Sequence, residues 1–136
     1  MSRESRITAA VFILSFLGVM FGGAVITGKL VGDPAYTTSP LHEDLWRAGH
    51  AHAASFLVLA LVCLPWIDVA ALSNRARWFA RVAISTASIT FPLAFFLAAP
   101  TVETREAGPA LMLLWPGGVL LAAGLVTLAV GLFRAS

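Results

Sequence analysis

Charge is what this sequence has least of. Only 12% of its 136 residues are Asp, Glu, Lys or Arg, against 59% hydrophobic residues and a mean hydropathy of +0.87. A soluble domain carries about 25% charged residues, so the deficit excludes one and leaves a membrane protein. Cysteine is nearly absent too. Cys63 stands alone inside an apolar segment, which rules out an intrachain disulfide or a cysteine-based zinc motif and reads as small apolar filler in a helix. The nine Lys and Arg residues give a net charge of +2, but they are scattered over separate loops. Nucleic-acid binding needs a clustered basic patch, so no nucleic-acid partner is expected. There is no internal repeat, low-complexity tract, nucleophile motif, phosphate loop or midspan carboxylate.

What is present is long apolar runs. Residues 7–27, 49–67, 79–99 and 110–133 each match the roughly 20 residues a helix needs to cross the hydrocarbon core. Backbone groups in lipid must be bonded internally, so these runs must be helices. The expectation is an all-α membrane protein, a single tetraspan domain folded as a four-transmembrane-helix bundle. The first run resembles a signal peptide in its basic start but exceeds an h-region of roughly 7–15 residues, so it reads as a retained span. Arg81 is the one charge inside a run, close enough to an end to snorkel.

Loop charges set the orientation. With both termini inside, the cytoplasmic side holds Arg3, Arg6, Arg75, Arg77, Arg81 and Arg134, and the outer side only Lys29, Arg47 and Arg105. This excess of cytoplasmic basic charge predicts N-in/C-in. The outer side carries the acidic residues Asp33, Glu43, Asp44, Glu103 and Glu106.

The first outer connection, residues 28–48, contains Asp33-Pro34 and Ser39-Pro40, steps that favour turns. Residues 41–46 then predict a short interfacial helix capped by Ser39. Trp46 and Trp115 fall at the outer aromatic belt, Trp66 and Trp78 at the inner one. Gly18 and Gly22 form a GxxxG pair that permits close helix approach. Pro92 and Pro116 are expected to bend the outer halves of spans three and four.

All three histidines lie within His42-Glu43-Asp44-Leu45-Trp46-Arg47-Ala48-Gly49-His50-Ala51-His52. Imidazole ligates metals and haem and titrates near neutral pH; at membrane depth it marks function. His50 and His52 are about 200° apart on a helix, so they do not share one axis unless this turn is non-helical. His42 shares a face with His50 if the interval is helical. Candidate metal ligands at the outer boundary are His42, Glu43, Asp44, His50 and His52, with the thioethers of Met20 and Met112 available nearby. A His/Met set suits copper or haem iron; His with carboxylate suits zinc, iron or manganese. Arg47 can pair with a carboxylate or propionate. The alternative is that these histidines are structural, placed at the headgroup level where polar side chains cost little.

Residues 47–53, Arg-Ala-Gly-His-Ala-His-Ala, followed by an apolar helix, resemble the start of the second transmembrane helix in heme–copper oxidase subunit I and its shorter relatives. The resemblance covers roughly residues 7–67. It implies that His50 or His52 ligates a haem b. The chain has no later span bearing histidines, so the second haem ligand, the high-spin haem site and the copper site of that family are missing. A second axial ligand then comes from Met20, Met112, His42 or a partner chain.

Three functions follow as expectations. The first is a small redox or metal-binding protein using haem b or a copper, iron or zinc ion. The second is an accessory or assembly subunit of a larger membrane complex. The third is an enzyme or oligomeric transporter using histidine acid–base chemistry. Each sits in the lipid bilayer as a homo-oligomer or part of a larger complex, with a bacterial plasma membrane as the expected location and the histidines on its non-cytoplasmic side.

Overall fold

The computed structural model describes residues 1–99 and 109–135. The described residues form helices α1 (Arg3–Gly32), α2 (Pro34–Thr37), α3 (Pro40–Val69), α4 (Asn74–Ala98) and α5 (Leu114–Phe133), the last entered through a 3₁₀ turn over Pro109–Leu113. Four helical segments are long and apolar enough to cross a membrane: α1, α3, α4 and the stretch Pro109–Phe133. The tetraspan bundle read from the apolar runs is what forms. Arg105, Glu103 and Glu106, assigned above to the outer side, lie outside the described residues.

Short polar side chains start the first four helices. Ser2, Asp33, Ser39 and Ser73 each accept a backbone N–H of the first turn, filling part of the donor deficit at a helix N-terminus. Pro34 and Pro40 take the first helical position, where a missing N–H costs nothing. The Asp-Pro and Ser-Pro steps therefore do break the chain, as expected. The separate helix predicted over 41–46 does not form, because α3 runs unbroken from Pro40. Nothing between Leu41 and Gly49 breaks a helix, and Gly49 is tolerated because Phe96 packs where its Cβ would be, at 3.0 Å. Pro116 falls in the first turn of α5, where it removes no needed hydrogen bond; Pro92 lies inside α4, and Pro65 lies inside α3.

At the centre α3 packs against α4, α1 packs mainly against α3, and α5 packs mainly against α4. The main core joins Phe12 of α1 to Leu57, Ala60, Cys63 and Ile67 of α3, Ala80 and Ile84 of α4 and Leu128 of α5. Cys63 is buried there as apolar filler. Helix α5 approaches through Gly117, Gly124 and Gly131, one glycine every seven residues. A Cβ at Gly124 would stand 2.8 Å from Ile84 Cγ1, and one at Gly131 2.5 Å from Leu72 Cγ. Seven residues are close to two helical turns, so this stripe sets the α4–α5 distance. Gly18 meets nothing within 4 Å, while Gly22 and Gly23 both face His50, so the close approach of α1 uses Gly22–Gly23 rather than the GxxxG pair.

The N-terminus, the α3–α4 turn and the end of α5 meet at one pole, the terminal end: the Ser2 N–H donates to Asp68 and the Ala71 N–H donates to the Gly131 carbonyl at 2.9 Å. The α1–α3 connection and its histidines occupy the opposite pole, the loop end.

Candidate functional site

The three histidines share a helix but not a site. His42 and His50 are joined by continuous helix, yet eight residues turn the chain about 80° past full turns and rise about 12 Å. Each ring therefore meets different neighbours.

His42 sits in an aromatic bracket. The Trp46 indole N–H donates to His42 Nε2 at 2.9 Å. An indole nitrogen only donates, so that ring nitrogen is the acceptor and the neutral ring carries its proton on Nδ1. Tyr36 meets His42 edge-on at 5.5 Å. Lys29 stands over the Trp46 ring at 5.3 Å and pairs with Asp33 at 3.1 Å. That ammonium, with the Tyr36 and Ala35 N–H groups, holds the Asp33 carboxyl below its ordinary value. Trp46 also packs edge-on against Phe96 at 5.5 Å, so it braces the bundle.

His52 is boxed by phenylalanines. Its ring stacks on Phe95 at 5.0 Å and meets Phe91 at 5.2 Å and Phe56 at 5.5 Å. Nδ1 lies 2.7 Å from the Ala48 carbonyl. A carbonyl only accepts, so Nδ1 donates, leaving the Nε2 lone pair unprotonated in the neutral ring.

His50 points the other way, toward α1. Its Nδ1 lies 3.5 Å from where a Gly22 Cβ would stand, and its Cε1 3.3 Å from that of Gly23. The ring occupies space the two glycines leave empty. Among the described residues it takes no hydrogen bond.

The other candidates do not converge on these rings. Met20 and Met112 are 70% and 74% exposed. Arg47 is exposed and pairs with Glu43 at 2.9 Å, and Asp44 is exposed. No group of three or more His, Cys, Asp or Glu residues able to hold a metal ion occurs among the described residues. Within one chain, His50 supplies an unengaged imidazole and the remaining ligands would come from elsewhere.

A second polar constellation, at the terminal end, escaped the sequence reading. Arg81 does not snorkel. It is 9% exposed and pairs with Asp68 at 3.0 Å. Its Nε donates to Ser5 Oγ at 3.1 Å and its Nη2 to Ser2 Oγ at 3.3 Å. Asp68 also accepts the Ser2 N–H at 2.7 Å and the Ser5 hydroxyl at 2.9 Å. A buried arginine must be paired and hydrogen-bonded, and three helices combine to do it. Nearby, Arg77 donates to the carbonyls of Ile67, Ala70 and Leu72, satisfying the open end of α3. The available signal was Asp68 itself, a lone acid at the end of the second apolar run with no basic residue within four positions.

Comparison with known protein families, with curated proteins and with solved structures finds no match.

Proposed function

We propose that this chain is a small integral membrane protein that holds a haem or a transition-metal ion through His50, at the loop end of its second span, with coordination completed by a second chain. The supporting observation is the state of one ring. His42 and His52 each engage a ring nitrogen within the chain, whereas His50 engages none among the described residues and rests against Gly22 and Gly23. A histidine at membrane depth marks function, so its open nitrogen calls for a ligand. Neutral imidazole is a good donor to iron, copper and zinc. Met20 and Met112, turned outward, would be presented to a neighbouring chain in an oligomer or larger complex. Arg47, exposed and bound only by Glu43, is the candidate partner of a propionate.

The test is an absorption spectrum and metal analysis of the protein purified in mild detergent. Wild type should carry a haem band or bound metal, His50→Ala should lose it, and His52→Ala should keep it. A metal-free, colourless wild type that stays colourless after haem is added overturns the proposal.

A second reading is an accessory subunit with structural histidines. It is favoured by the intrachain engagement of His42 and His52 and by the absence of a converging ligand group among the described residues. Co-purification of a partner that survives replacement of all three histidines supports it over the first.

A further inference from the structure

The hydroxyls of the spans follow one rule with three exceptions. Thr8, Ser15, Thr27, Ser55, Ser88, Thr90 and Thr127 each donate to the carbonyl four residues back, the usual way a hydroxyl is satisfied inside a membrane helix. Ser5 bonds to Asp68 instead. Ser85 and Thr86 take no bond among the described residues, and Ser85 Oγ is fully buried without a partner.

Ser85 and Thr86 line the same groove. It measures about 310 Å³ between α1 and α4 near the terminal end, with Glu4 and Thr8 on one wall and Trp78, Arg81, Val82, Ser85 and Thr86 on the other. Arg81 commits its Nε and Nη2 to Ser5, Ser2 and Asp68, leaving the two N–H donors of Nη1 without a bond among the described residues. Trp78 is 62% exposed at the mouth and also lines an adjoining groove with Asn74, Arg75 and Phe79.

From this juxtaposition we propose that the α1–α4 groove binds a glycerophospholipid, with the phosphate at the free Nη1 donors of Arg81 beside Trp78 and an ester oxygen at Thr86. The depth matches: Thr86 lies five residues beyond Arg81, about 7.5 Å along the helix. A lipid presents its phosphate and its esters in that order going inward. The chemistry matches as well. Arginine is the preferred partner of phosphate. Asp68 offsets the charge of Arg81 and Glu4 that of Arg75 at the rim, so the Nη1 donors rather than net charge would hold the phosphate. A soluble phosphate would satisfy Arg81 but would leave the Thr86 hydroxyl unbonded inside the bilayer.

The test uses detergent-purified, delipidated protein titrated with phosphatidylglycerol, diacylglycerol or inorganic phosphate, read by native mass spectrometry. Wild type should bind phosphatidylglycerol about tenfold more tightly than diacylglycerol, which lacks the phosphate, the scale of one or two charge-assisted hydrogen bonds. Thr86→Val removes the hydroxyl and leaves the Arg81 network intact. It should lose about fivefold in lipid affinity, with no change in melting temperature without lipid. Equal affinity for the two lipids, unchanged binding by Thr86→Val, or displacement of the lipid by inorganic phosphate each overturns the proposal.

Discussion

The two poles of this bundle solve the same problem, polar side chains at the edge of hydrocarbon, in opposite ways. At the loop end the partners are near in sequence: Trp46 with His42, Arg47 with Glu43, Lys29 with Asp33 and His52 with the Ala48 carbonyl, all four residues apart. Each pair closes on one helix or at its cap, so changing one leaves the others standing. At the terminal end the partners are far apart: Ser5 with Asp68 across 63 residues, Ser5 with Arg81 across 76 and Ser2 with Arg81 across 79. Those bonds form only when α1, α3 and α4 are already assembled. The hydrogen bonds and ion pairs of the loop end are therefore local, with ring contacts such as His52 on Phe95 crossing between helices, whereas those of the terminal end form a cooperative lock.

The largest test of that contrast is Asp68→Ala. It strands a buried guanidinium with two serine hydroxyls and no counter-charge, and should cost about 3–5 kcal/mol in detergent unfolding. Asp68→Leu with Arg81→Met removes both charges and should restore most of that loss, since a buried ion pair is often replaceable by packed apolar groups. A double variant as unstable as the single would show that the bonds to Ser2 and Ser5, not charge balance, hold the three helices.

At the loop end the largest effect should come from His52→Ala. It deletes a ring packed on three phenylalanines and opens a space between α3 and α4. Aromatic contacts and one hydrogen bond together are worth about 2 kcal/mol. The loss should be additive with Asp68→Ala, because sites at opposite poles share no partners. Arg47→Ala should change stability by no more than about 0.5 kcal/mol, as an exposed i,i+4 pair does. Non-additivity between the poles would overturn the picture of local contacts beside a lock.

The same division explains what the sequence made legible. The four spans, the breaks at Asp33-Pro34 and Ser39-Pro40, and the Ser39 cap are local, written in run length and cap chemistry. The opposed directions of His50 and His52 also follow from helical angle alone. The tertiary facts were not legible. A charge near a span end reads as snorkelling until Asp68 and Ser5 are known to converge on Arg81. The Gly22–Gly23 cradle is indistinguishable from the GxxxG pair until α3 supplies His50 as its neighbour. The unbroken α3 was missed because aromatic and charged residues before Gly49 read as a separate interfacial element, whereas tertiary packing of Leu45 and Trp46 against α4 carries the helix through.

The smallest expected effect is also the one that separates charge from geometry at the loop end. Asp33 accepts the Ala35 and Tyr36 N–H groups at 3.1 and 3.2 Å and pairs with Lys29, which holds its carboxyl below the ordinary value of 3.8. A group whose folded pKa is lowered binds fewer protons folded than unfolded. Its contribution is therefore present above the unfolded value and fades as pH falls through the folded one. In wild type, hydrogen-exchange protection of the Ala35 and Tyr36 amides should decline as pH drops below 3.8. Asp33→Asn keeps a capping oxygen but no titratable charge, so its protection should be lower at neutral pH and flat through the acid range. Parallel declines in both proteins would place the acid sensitivity outside Asp33. The α1–α3 connection would then depend on groups other than its own cap.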